Sequence, residues 1–155
     1  MNIFVTDPNP ELSAKSLDDK RVVKMILEST QLLMTALNLQ GLETPYKKTH
    51  SNHPCSIWCR TTRQNFKWLI QHYEALCKEY TNRFNKIHKC YQYIDFFTQN
   101  IDKIPEGHLT NHPNCTIFKE ENDTYLAYKK ALINKWENDK IIPRWTNSNK
   151  PNWNI

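Results

Sequence analysis

Between residues 20 and 41 the chain reads KRVVKMILESTQLLMTALNLQG, with Val22, Val23, Ile26, Leu27, Leu33, Met34 and Leu37 at the three-and-four spacing of an α-helix. Such a helix must bury one face against an element of similar length. The partner lies downstream, where Trp58, Phe66, Leu69, Ile70, Tyr73, Leu76, Cys77 and Tyr80 keep one face apolar. This predicts a long helix, or a broken pair, starting at Pro54 and running to about Lys86. Further helical stretches are expected over roughly residues 90 to 100 and over NDTYLAYKKALINKWEND, with Asn122 or Asp123 as cap. Gly41 supplies a stop for the first long helix.

The remaining segments are short. NIFVTD at residues 2–7 reads as a β-like entry closed by Pro8 and Pro10, and the pattern turns helical from Glu11. LETPYKKTHSN and DKIPEGHLTNHPNCT read as loops, and KIIPRWTNSNKPNWNI as an irregular tail. The tripeptide NHP occurs at 52–54 and again at 111–113, too short an echo for a repeat. Only two glycines are present, at 41 and 107, which disfavours Gly-rich phosphate loops and most tight hairpins. The expected fold is mainly α: one compact domain over residues 1–155, a long N-terminal helix packed on a second long helix, and an irregular C-terminal tail.

Charge and cysteine usage narrow the class. A formal net charge of +5 is compatible with a nucleic-acid partner. No apolar leader or long apolar run appears, and five cysteines at irregular spacing suit reduced thiols, so an intracellular protein is expected. In the C-terminal third Trp136, Trp145 and Trp153 interleave with Lys135, Lys140, Arg144 and Lys150. That pattern suits either core packing or base stacking beside cations.

Two clusters carry possible chemistry. His50, His53, Cys55 and Cys59 fall within ten positions, enough donors for a closed zinc site. Their H-x2-H-x-C-x3-C spacing is not a standard one, and Pro54 marks a helix start with Asn52 or His53 as cap. On that reading Cys55 and Cys59 are packing residues, and no metal site is expected. On the first long helix, Arg21, Lys24, Glu28 and Gln31 share one side. They form either a solvated face with a Lys24–Glu28 pair, or a carboxylate among cations suited to acid–base work beside a phosphate backbone.

MNIF with a following proline, SLDDKR, then Lys24, Glu28 and Gln31, and finally NHP before a Trp-bearing helix together resemble the pyrimidine-dimer DNA glycosylase family, over roughly residues 1 to 86. The resemblance implies a glycosylase and abasic lyase acting on double-stranded DNA without metal or cofactor. In that family a free α-amine at the chain start attacks the deoxyribose C1′, forms an imine, and β-elimination cuts the strand. α-Amines titrate near about 7.7–8.0, so an appreciable fraction is neutral and nucleophilic at physiological pH.

The bulky Asn2 would keep Met1 in place, which assigns the amine to Met1, with Asn2 beside it. The family prototype's glutamate directly after the arginine matching Arg21 is replaced here by Val22. Glu28 matches a glutamate in relatives carrying LDDKR, with Asp18 or Asp19 as alternative carboxylates. The implied site is therefore Met1, Asn2, Arg21 and Glu28, with Lys20, Lys24, Gln31, His53 and Arg60 toward DNA. His53 would contact a phosphate, orient the carboxylate, or serve as a helix cap. A monomer is assumed. The competing readings are a non-catalytic or substrate-switched DNA binder and, more remotely, the zinc module.

Overall fold

The computed structural model describes residues 1–155 and holds six α-helices and no strand. They are α1 (Pro10–Lys15), α2 (Asp19–Asn38), α3 (Pro54–Thr61), α4 (Arg63–Phe84), α5 (Ile94–Gln99) and α6 (Thr124–Asn138). Short 3-10 turns occupy Lys89–Tyr93 and Ile101–Lys103. The two long helices α2 and α4 pack together, α1 lies on α4, and α3 wedges against both. One apolar cluster gathers side chains from Ile3 to Trp136, including fully buried Leu33, Leu37, Phe66, Leu69 and Tyr73. Each such side chain contributes about 1.5–3 kcal/mol of transfer free energy.

Local chemistry sets the breaks. His53 caps α3 by accepting from the Cys55 backbone N–H at 3.1 Å, with Pro54 in the first turn. The downstream apolar face is a broken pair because Thr62 is extended (φ −137°, ψ 155°) and caps α4 through Asn65 N–H. Thr62 also donates to the His108 carbonyl at 2.9 Å. This close approach needs Gly107, where a Cβ would lie 2.6 Å from Thr62 Cγ2. Asn85 ends α4 in the left-handed region, and Asp123 caps α6. Gly41, at φ +92°, lies past the end of α2 and donates back to the Asn38 carbonyl.

Two expectations need correction. NIFVTD pairs with no strand; Ile3, Phe4 and Val5 are core side chains on an irregular entry, and Phe4 has φ +56°. On α2, Val23 and Leu27 are exposed at 40% and 42%, although their spacing placed them in the core. The buried stripe runs instead through Val22, Met25, Ile26, Ser29, Thr30 and Leu33. Thr30 is accommodated because its hydroxyl donates to the Ile26 carbonyl.

Behind the α3–α4 junction two histidines are buried. His72 donates from Nδ1 to the Pro10 carbonyl at 3.0 Å, and His112 stacks on Trp58 with ring centroids 4.2 Å apart. Burial lowers His72 to about 4 and His112 to about 3. Both are neutral in the native state at pH 7. As pH falls below 6.5 the unfolded chain takes up protons that the folded chain refuses, so stability is lost from 6.5 down to the folded values. Between pH 6.5 and pH 5 each histidine should withdraw about 2 kcal/mol. Urea unfolding across that range should show the loss, and His112→Phe should roughly halve its slope. A second test is Gly107→Ala, expected to destabilise by about 1–3 kcal/mol through the Thr62 clash.

Candidate active site

The first four residues form a compact hook. The Asn2 side-chain oxygen accepts from the Ile3 N–H at 2.7 Å and the Phe4 N–H at 3.1 Å, a tight turn of the Asx kind. With Phe4 left-handed, the chain start folds back under α2 instead of running into solvent. Phe4 is held by an edge contact to Tyr128 of α6. The hook places the Met1 α-ammonium 3.2 Å from Glu28 Oε1, with the Met1 side chain 3% and the Glu28 side chain 13% exposed. Glu28 Oε2 is buried and has no hydrogen-bond partner in the protein, so one carboxylate oxygen faces the amine while the other retains its acceptor capacity.

His53 stands beside this pair. Its ring is held below the ordinary histidine value, first by burial and then by the α-amine and His50, against an opposing pull from Glu28. It is therefore neutral at pH 7. Because Nδ1 accepts from Cys55 N–H, the ring proton sits on Nε2, which makes that edge a donor. His53 is the α3 cap and a neighbour of the amine at once.

The three candidate carboxylates on α2 separate by their partners. Asp18 is buried and accepts from Arg21 and from Trp136 Nε1 at 2.7 Å. Asp19 receives Arg83 and both the backbone N–H and hydroxyl of Thr146. Glu28 alone of the three contacts the amine. Arg21 lies seven positions before Glu28, about 10 Å along the helix axis. Its guanidinium is committed to Asp18 and to Asp139 at 2.9 Å. Lys24 forms no ion pair with Glu28; the amine occupies that carboxylate instead.

Lys20 and Lys24 are exposed and Gln31 is half-buried on α2. Arg60 donates to the Ser51 carbonyl at 2.7 Å and to Ser56 Oγ, bracing the loop that presents His53. Trp136 of α6 and the tail residues Trp145 and Trp153 pack among themselves and against the segment that leads into α2. Trp153 stacks on Trp136, and Trp145 donates to the Ser16 carbonyl. Lys150 lies over the rings of Trp136 and Trp145.

The four residues of the suggested zinc quartet do not converge. His50 bonds Thr49, and Cys59 is buried against the Leu32 carbonyl. Cys55 meets Cys115 instead, with the sulfurs 3.8 Å apart. Cys115 is the residue sequence reasoning missed. The available signal was the second NHP, which is followed within two residues by that cysteine. A cavity of about 200 Å³ opens beside the hook, lined by Asn2, Phe4, Cys115 and Lys135 among others. A cavity of about 500 Å³ between α1 and α4 includes neither Met1 nor Glu28.

A family model described as pyrimidine dimer DNA glycosylase matches residues 1–92. Those residues contain the hook, Glu28 and His53. No curated protein and no solved structure matches significantly.

The hook predicts unusual amine reactivity. A mild acylating reagent should label the Met1 amine more slowly than the exposed lysines. Asn2→Ala should accelerate that labelling by roughly tenfold, the factor that about 1.4 kcal/mol of lost positioning carries. Mass spectrometry of the N-terminal peptide over a labelling time course checks it.

Proposed function

The chain belongs to the pyrimidine dimer DNA glycosylase family, and from that premise we propose that it excises damaged or modified pyrimidines from double-stranded DNA and cuts the abasic site, with the Met1 α-amine as nucleophile. The observation that carries this reading is the 3.2 Å contact between the amine and Glu28. A nucleophilic amine has to shed a proton, and a general base within hydrogen-bond reach is the first geometric requirement for that.

The steps follow from these groups. The neutral amine adds its lone pair to C1′ as the glycosidic bond breaks, and the bond's electron pair leaves with the base. Glu28 takes a proton from the resulting secondary ammonium. It returns that proton to O4′ as the C1′–O4′ bond opens, leaving a protonated imine between C1′ and the amine nitrogen. The carboxylate then removes a C2′ proton, and the 3′ phosphate departs with the C3′–O electron pair. Water hydrolyses the imine and frees the amine. Glu28 Oε2, unpartnered within the protein, gives the carboxylate a second acceptor for the sugar protons.

The surrounding residues serve binding. His53, neutral with its proton on Nε2, is suited to donate to a phosphate oxygen. Lys20 and Lys24 lie exposed on the same helix as Glu28 and supply phosphate-neutralising charge. Arg60 acts one step back, through the loop it braces. Arg21, held by two carboxylates, is a positioning residue for the start of α2.

Borohydride should trap a covalent complex on abasic-site or dimer-containing duplex DNA. Digestion and mass analysis should place the adduct on the N-terminal residue. Glu28→Gln should lower trapping by about 10²–10⁴-fold while duplex binding persists. Duplex binding without trapping on any substrate would instead select the non-catalytic DNA binder.

A further inference from the structure

A second chemistry converges on the same corner of the fold. A ring nitrogen of His53 and the sulfurs of Cys55 and Cys115 all lie within 4.8 Å of one another. The sulfur–sulfur separation is 3.8 Å. Two zinc–sulfur bonds of about 2.3 Å at the tetrahedral angle span roughly that same distance, about 3.8 Å. We propose that His53, Cys55 and Cys115 hold a thiophilic divalent cation of the zinc class, and that the Met1 α-amine completes its tetrahedron, so that metal loading shuts the nucleophile off.

The bond between the two thiols and then burial push Cys55 up, while the same bond pulls Cys115 down, so a cation has to displace the Cys55 proton. Cys55 sits in the first turn of α3, where helix N–H groups and the macrodipole favour negative charge. The Cys115 N–H donates to the Tyr128 hydroxyl at 3.3 Å, and that hydroxyl donates to the Pro113 carbonyl at 3.1 Å. These bonds fix the backbone that presents the Cys115 sulfur, an outer support of the kind that orients a metal ligand. The imidazole lone pair is on Nδ1, now accepting from Cys55 N–H, so the metal would take the place of that cap bond. The cavity beside Asn2 and Cys115 provides an entry path.

The fourth position links the metal to the amine. Asn2, the residue next to the amine, lines the same cavity as Cys115, which brings the chain start up to the cluster. A neutral α-amine is a good nitrogen donor, and once coordinated it has no lone pair for C1′. Binding would release the thiol protons, with no oxidation or reduction of any group. The site itself stands independently of the glycosylase reading; the inhibitory consequence rests on it.

The test uses the full-length protein under reducing conditions. Cobalt(II) should bind one to one, with thiolate-to-cobalt charge-transfer absorption and the intense visible bands of tetrahedral cobalt. Cys115→Ser should abolish the charge-transfer signal at one equivalent, whereas Cys59→Ala should retain it. Stoichiometric zinc should suppress borohydride trapping at least tenfold, a chelator should restore it, and Cys115→Ser should trap normally with or without zinc. Absence of a cobalt signal, or a signal indifferent to Cys115→Ser, overturns the site. Binding without inhibition overturns the amine as fourth ligand. If the metal-free wild type traps no DNA while cobalt still binds, the glycosylase reading fails and the metal site survives.

Discussion

The contact between the Met1 ammonium and Glu28 is the constraint around which this molecule is arranged. An isolated charge taken out of water costs several kcal/mol, so neither group is tolerable in this place alone. Keeping them together obliges the chain start to turn inward, which the Asn2 turn and the left-handed Phe4 accomplish. Inward burial of Ile3 and Val5 then anchors the hook in the same core that joins α2 to α4. Backbone strain at Phe4 is held by its contact with Tyr128 of α6.

The polar groups around α2 divide by what they touch. At the start of the helix Arg21 pairs with Asp18 and Asp139, and Arg83 with Asp19 and Glu79, two buried or half-buried triads that form a local network of charges. A network so fully paired fixes geometry and has little capacity left for a substrate. Glu28 differs because one of its oxygens remains unpartnered and its counter-charge is the Met1 α-ammonium. The same helix therefore carries a closed set of pairs at its start and an unpartnered acceptor at its middle.

Much of this was legible in the residues. The period of α2, Pro54 as a helix start, His53 as a cap and Asp123 as a cap are local signals acting over three or four positions. The orientation of α2 was not, because Ser29 and Thr30 take core places that a count of apolar residues awards to Val23 and Leu27. The expected Lys24–Glu28 pair does not form, since helical spacing carries no information about an amine arriving from residue 1. Resemblance singled out Glu28; only the fold distinguishes it from Asp18 and Asp19. Cys115 and Asp139 reach their partners across 60 and 118 positions, separations at which spacing says nothing.

The closure at the start of α2 also bears on the order in which this chain completes itself. Asp18 lends its own helix no side-chain cap. The Asp19 N–H is received by the Arg144 carbonyl, Trp136 and Asp139 close over Asp18 and Arg21, and Thr146 ties down Asp19. All of those partners lie beyond residue 92, outside the stretch that carries the family signature. On a ribosome, then, the helix bearing Glu28 emerges long before the residues that finish its first turn. Loop closure over more than a hundred residues has to wait until residues 136–146 have been made. Until then the amine meets its carboxylate on a helix with an open end, and the docking of residues 136–146 is what closes that end.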